Sequence, residues 1–198
     1  MNTLLSVLIP GTPRRMATHG RAIVEKLNHQ AEHLPVEVLY LLDNKRRSVG
    51  HKRQALLDIA KGSYVTFCDD DDDVSASYCA EIINGIQTYA LKHAREADVI
   101  TFDQQCDVAG HMGLVSFGLG NPNDRFLPNG VTLRNAWHIC AWRRDIAQTA
   151  RFPDLMDGED WAWAQQLCAK ATTSHHIARV LHYYFFRPQM TEATGMNK

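Results

Sequence analysis

Five consecutive aspartates, Asp69 to Asp73, follow the apolar segment Tyr64 to Cys68 (YVTFC). Five carboxylates at one strand end repel one another, and a divalent cation is an effective neutraliser when some of them face inward. The alternative is a solvated acidic turn whose charge favours the N-terminus of the helix that follows. A calcium loop fails, because Val74 stands where the loop needs glycine and Ala80 where it needs a bidentate glutamate. A second acidic feature, Glu159-Asp160 within MDGEDW, opens a helical segment about 90 residues further on. A carboxylate there is either a general base poised over a cleft or a helix cap. His182, in the apolar strand VLHYYFF, reads as a metal ligand or a hydrogen-bonded core residue.

Several chemistries are excluded by missing motifs. The chain has no G-x-G-x-x-G after its first strand and no G-x-x-x-x-G-K-S/T, so neither a standard dinucleotide site nor a P-loop is present. H-E-x-x-H and G-x-S-x-G are also absent, which argues against a zinc protease and an elbow-type hydrolase. The five cysteines are odd in number and contain no C-x-x-C, so a disulfide framework or zinc ribbon is not indicated and a cytoplasmic setting is expected. No apolar run approaches the about 20 residues of a membrane span.

The elements that must position these groups alternate. Strands are expected over Leu4–Pro10, Val36–Leu42, Tyr64–Cys68 and Asp98–Phe102, with helices over Met16–His33, Ser48–Lys61 and Ser75–Glu96. Gly62 reads as the C-terminal cap of the second helix, and Ser75 or Ser77 as the N-cap of the third. Beyond these, Leu114–Phe117 reads as a strand, Asn121–Asn135 as a long loop, Gly158–Ala171 as a helix and Ile177–Phe186 as a late strand. Strand-helix repetition implies a Rossmann-like, mostly parallel α/β sheet flanked by helices, in a single domain over residues 1–198. Ligands bind beyond the carboxyl ends of such strands, which here are Pro10-Gly11-Thr12, Asp43-Asn44 and the aspartate run.

Charge supports that placement. The net charge is -1, yet residues 1–66 carry 10 Lys/Arg against 5 Asp/Glu, and Arg14-Arg15, Lys45-Arg46-Arg47 and Lys52-Arg53 fall between the apolar segments. An anionic ligand could meet them there, although scattered surface cations are an equal reading of each pair. Trp161 and Trp163 read either as an aromatic platform for a sugar or nucleobase or as core packing.

The order LLSVLIP, VEVLYLLD, a G-x-K-R-Q helix, AKGSYVTFCDDDD and then GED before a helix resembles the family 2 glycosyltransferases, which have the GT-A fold. The family's A-R-N-x-G-x-x-x-A-x-G and F-x-D-x-D-D segment aligns without gaps from Lys52 to Asp72. The resemblance implies a nucleotide-sugar-binding half over 1–105 and an acceptor-binding half with the base over 106–198. It implies that Pro10, Gly11, Thr12 and Asp43 contact the nucleotide base, that Lys52 and Arg53 lie near the base or diphosphate, and that Asp69 and Asp70 reach the ribose or base. Asp71 would hold a divalent cation, manganese or magnesium, that bridges the diphosphate, and Asp160 would be the general base. His182 falls near a late metal ligand of the fold, but the family's Tyr-Arg-x-His reads Phe186-Arg187-Pro188-Gln189 here.

The implied activity is an inverting, single-transfer reaction from a nucleoside-diphosphate sugar, UDP-linked in the first instance, to an acceptor hydroxyl. The Q-x-x-R-W segment of processive synthases and their membrane helices are absent. Departures at Asn44-Lys45-Arg46, Gln54 and Leu56 leave the base and sugar open. The small size is similar to that of phage-encoded glycosyltransferases, some of which modify hydroxymethylated DNA bases, so the acceptor is either a glycan or such a base, in a host cytoplasm if phage-encoded. Two other classes remain: a sugar-phosphate nucleotidyltransferase, of whose G-x-x-x-R-L segment Gly11 to Arg15 retains a trace, and a non-catalytic nucleotide-sugar or cation-binding module.

Overall fold

All seven residues of strand β1, Leu5–Gly11, are buried. A mostly apolar run of this kind, interrupted only by Ser6, suits a parallel strand covered on both faces. In the computed structural model, which describes residues 2–186, β1 pairs in parallel with β2 (Val36–Leu42) on one side and β3 (Tyr64–Phe67) on the other. Chain order reverses between β1 and β3, which places a ligand crevice beyond their carboxyl ends.

Past β3 the sheet continues through β9 (Ala141–Arg143), antiparallel, to β5 (Val99–Val108). One edge of β5 also pairs with β6 (His111–Phe117), and its other edge runs parallel to β10 (Ser174–Phe186). Strands β8 (Val131–Arg134) and β7 (Arg125–Phe126) extend the β6 side, and the two-residue β4 (Asp73–Val74) pairs with β10. All ten described strands form one sheet, in which β2, β1, β3, β5 and β10 share a direction. The fold is the mixed α/β, centrally parallel arrangement that the alternation implied.

The first expected helix is broken. Pro13 starts a single turn, α1 (Pro13–Arg15), and a π-helical turn over Met16–Gly20 precedes α2 (Arg21–Ala31). Such wide turns often occur at functional positions, and this one follows Arg15, which faces the aspartates. Helix α3 (Val49–Ile59) is capped by Ser48, whose Oγ accepts from the His51 backbone nitrogen. Gly62 does not cap it: the cap is Ala60, in extended conformation. Glycine is needed at 62 because a Cβ there would lie 2.6 Å from the Ser6 backbone nitrogen. Helix α4 (Tyr78–His93) has Ser77 at its N-cap position, but the Ser77 side chain makes no capping bond; the side-chain oxygen of Gln30, from α2, accepts from the Cys79 nitrogen instead.

The second half is more ordered than its turn-rich composition suggested. The expected loop Asn121–Asn135 contains β7 and β8, and β5 continues to Val108, past the expected end at Phe102. A short helix, α5 (Arg144–Ala147), follows β9, and α6 (Glu159–Cys168) carries the Glu159-Asp160 pair at its first turn.

Candidate functional site

A cleft of about 450 Å³ opens beyond β1 and β3, and both halves of the chain line it. Pro10, Arg15, Lys52, Arg53, Asp69 and Asp71 come from the first half; Trp137, His138, Glu159, Asp160 and Tyr184 come from the second.

The aspartate run is a sorted set, not a uniform patch. A turn closed by the Asp72 nitrogen on the Asp69 carbonyl, 3.1 Å, sends successive carboxylates in different directions. Asp69 receives Arg53 Nη2 at 2.9 Å; burial alone would raise its pKa, but Arg53 and His138 hold it below the usual range. Asp70 is fully buried and accepts from the Thr12 backbone nitrogen at 3.0 Å and from Arg15 Nη1 at 2.9 Å. Asp71 faces the cleft beside Arg15 Nη2, 2.8 Å away, and burial together with Asp69 and Asp70 pushes its pKa up to about 7. Asp72 also lines the cleft, but its oxygens lie against the Phe185 nitrogen and His182, and burial lifts its pKa well above the usual carboxylate value. Asp73 pairs with Lys26 at the surface.

The Glu159-Asp160 pair is divided by the start of α6. Glu159 turns inward and accepts from Arg53 Nε at 2.9 Å. Asp160 faces the cleft, with Oδ1 accepting from the Trp161 nitrogen at 2.7 Å and Oδ2 lying 3.2 Å from His138 Nδ1. The cap position of α6 is Gly158, so Asp160 is a first-turn carboxylate facing the cleft and not the cap. Burial works to raise its pKa, but His138 and Arg53 outweigh that and keep it well below the usual range, so it is ionised at working pH.

Of the remaining sequence-derived candidates, Pro10 and Lys52 line the cleft, whereas Gly11, Thr12, Asp43 and His182 are not among its wall residues. Lys52 is buried, with Nζ donating to the Gly11 carbonyl at 3.3 Å. Gly11 also accommodates the Tyr40 ring where a Cβ would stand. Asp43 organises the turn after β2, accepting from the Arg46 and Arg47 backbone nitrogens at 2.7 and 3.2 Å. His182 is fully buried; Nδ1 accepts from Gln104 Nε2 at 3.0 Å and Nε2 lies 3.6 Å from Asp72 Oδ2. Burial lowers its pKa to about 4, which leaves the ring neutral. Arg187, Pro188 and Gln189 lie outside the described residues. Trp163 is core, stacked on Phe152 with ring centres 4.5 Å apart, whereas Trp161 is half exposed.

Among the described residues no group of three His, Cys, Asp or Glu side chains forms a metal cage. The donor set does suit a cation shared with substrate phosphates: magnesium-type ions bind through one or two carboxylates plus phosphate oxygens. Asp71 is such a carboxylate, since it opens to the cleft and its ionised form lacks sufficient compensation.

Arg15 and His138 were not assigned site roles by the sequence. Arg15 carried a signal, a basic pair directly after the first strand end. His138, in AWHICAW, carried none.

No known family model matches the chain, and no curated protein does. Among solved structures, S. aureus TarS 1-349 in complex with UDP-GlcNAc superposes with a TM-score of 0.67 at 14% identity, over 98% of this chain and 62% of that one. The same protein in complex with UDP gives 0.63 at 16% identity, over 94% and 61%. The chain thus spans about three fifths of the TarS 1-349 chain it resembles. No described helix is long and apolar enough to cross a membrane. The chain has a GT-A-like fold, with its polar cleft at the carboxyl ends of the parallel strands.

Proposed function

We propose that this protein is a metal-dependent inverting glycosyltransferase that moves one sugar from a nucleoside-diphosphate sugar, UDP-linked in the first instance, to an acceptor hydroxyl. The observation that carries this reading is Asp160: an ionised carboxylate at the wall of the cleft that Asp69 and Asp71 also line, in a fold whose structural neighbour binds UDP-GlcNAc.

In this reading Asp160 accepts the proton of the acceptor hydroxyl as that oxygen attacks the anomeric carbon. The carbon–oxygen bond to the diphosphate breaks on the opposite face, and its electron pair leaves with the diphosphate, so configuration inverts. Pro10, Gly11, Thr12 and Asp43 frame the nucleotide side, with Asp69 toward the ribose, while the buried Asp70 holds Arg15 and the Thr12 nitrogen in place. Arg15 and Lys52 add positive charge where the diphosphate would lie, and Arg53 acts through Asp69 and Glu159. A divalent cation held by Asp71 with the donor phosphates would neutralise the charge of the departing diphosphate. His182, between Gln104 and Asp72, stands behind the aspartate turn and is the second residue assigned to the cation in this reading. The acceptor is a glycan or a hydroxymethylated DNA base.

Calorimetric titration with UDP, GDP, CDP and their sugar conjugates, with and without manganese, tests the donor site. Asp160→Asn should bind the selected donor as the unaltered protein does while losing transfer by about 10²–10⁴-fold. Nucleotide binding without any turnover on glycan, duplex DNA or water would favour the non-catalytic module, and pyrophosphate release from a nucleoside triphosphate and a sugar phosphate would favour the nucleotidyltransferase.

A further inference from the structure

His138 lies between the two sides of the cleft. Its Nδ1 is 3.2 Å from Asp160 Oδ2 and its Nε2 is 3.9 Å from Asp69 Oδ2. The residue is 6% exposed, and neither nitrogen makes an aligned hydrogen bond to any described residue. Two carboxylates thus face its nitrogens, and His182 is near enough to act on it electrostatically. Its placement is fixed from behind: the Phe67 nitrogen donates to the His138 carbonyl at 3.3 Å, tying this turn to the last residue of β3, and the ring is flanked by Phe67 and Trp137.

We infer that His138 is a positioning residue that links the donor-side Asp69 to Asp160 and holds Asp160 Oδ2 toward the reacting hydroxyl. The inference rests on the reading of Asp160 as the base. Oδ1 of Asp160 is already taken by the Trp161 nitrogen, so Oδ2 is the oxygen left to take a proton, and His138 is the neighbour that fixes where it points. A carboxylate held by only one oxygen swings about its Cβ–Cγ bond, and misplacement of a base costs rate steeply. The titratable groups that act on Asp160 are His138, Arg53 from α3 and Asp69 after β3, and of these His138 comes within 3.2 Å of Oδ2.

The test uses UDP release from UDP-GlcNAc and UDP-glucose, with manganese and with water as acceptor, on the full chain. His138→Phe keeps a ring between Phe67 and Trp137 and removes both nitrogens. His138→Asn restores a side-chain nitrogen near the Nδ1 position. His138→Phe should lower kcat at least about tenfold while the UDP dissociation constant, read by calorimetry, stays within about twofold. The acid limb of its kcat profile should move to higher pH, because Asp160 loses the partner that favours its ionised form, whereas the contribution of Asp71 is common to all variants. His138→Asn should recover much of the rate and of the profile.

A His138→Phe protein with unchanged kcat and pH profile overturns the inference, as does a loss of rate with no pH change and no recovery in His138→Asn. Asp160→Asn separates the two levels. If Asp160→Asn is inactive while His138→Phe is not impaired, only the role of His138 falls; if Asp160→Asn retains turnover, or the unaltered protein releases no UDP, the base assignment falls and this inference with it.

Discussion

Arg53 Nε donates to Glu159 Oε1 at 2.9 Å across 106 residues of sequence, with both side chains nearly sealed from solvent. The same guanidinium reaches Asp69 through Nη2, so one cation joins the end of β3 to the start of α6. The aspartate run and Asp160 are therefore held relative to each other by a buried charge network, not by loop backbone alone.

Breaking that network should be costly. Arg53→Met would leave Glu159 buried without its counter-charge and Asp69 with only the distant His138, and removing one partner of a buried pair typically costs about 3–5 kcal/mol. Denaturant unfolding checks this as a lower midpoint at unchanged slope. Arg53→Met combined with Glu159→Gln should be less damaging than the sum of the single changes, because the second substitution relieves the charge that the first strands. A loss below about 1 kcal/mol for Arg53→Met would mean that solvent reaches the site.

Gly50 sets how closely α3 approaches the segment before α6. A Cβ there would run into the Pro153 carbonyl oxygen and meet Glu159 Cβ at 3.2 Å, while the Gly50 nitrogen donates to the Leu155 carbonyl at 3.0 Å. Gly50→Ala should displace residues 153–160 and with them Asp160. Rate should fall further than nucleotide affinity if, as proposed, the nucleotide is held mainly at the ends of β1 and β3. Turnover and UDP affinity measured on one preparation decide this, and equal losses in both would contradict it.

The elements were legible where apolar runs end abruptly in polar residues. β1, β2 and β3 each stop at such a boundary, and Asp69, Asp71 and Asp160 stand out because carboxylates crowded beside an apolar segment are costly unless a cation, a ligand or a helix end compensates them. Three kinds of feature were not legible. β9 has only three residues and no alternation to read, and Trp142 within it is buried against Trp163 and Trp137 from other segments. The division of labour in Glu159-Asp160 depends on which residue faces Arg53, and adjacency in sequence cannot decide that. His138 gains its meaning from two carboxylates that only the fold brings to it, Asp69 from the end of β3 and Asp160 from the start of α6.

The buried pair His182 and Asp72 predicts a pH-dependent stability. His182 has a pKa lowered to about 4 from 6.5, so between those values the unfolded chain holds more protons at this position than the folded one. Its contribution is therefore present above pH 6.5 and lost as pH falls toward 4, by up to about 3 kcal/mol. Asp72, raised by burial, works in the opposite direction, so the unaltered protein alone conceals the effect. The comparison with His182→Gln isolates it: the stability difference between the two should shift against the unaltered protein as pH drops from about 7 to about 4. A difference that stays constant would show that the ring is not neutral in the folded state.

Asp71 offers the sharpest test of cation binding. Its pKa, raised to about 7, means that the folded state holds a proton there which the unfolded chain releases from about pH 4 upward. Stability from this position is accordingly highest at low pH and declines as pH rises to about 7. Asp71→Asn removes the penalty, so at about pH 8 the variant should be more stable than the unaltered protein in the absence of metal, and the advantage should disappear toward about pH 4. Manganese with UDP should reverse the ranking. A ligand at about a hundred times its dissociation constant adds about 2.7 kcal/mol to the form that binds it, and only the aspartate protein supplies the carboxylate. That gain should weaken as pH falls below about 7, where a proton competes with the cation. Equal stabilisation of both proteins by manganese and UDP would place the cation elsewhere, and thermal unfolding at about pH 8 and about pH 5.5 reads all of these outcomes.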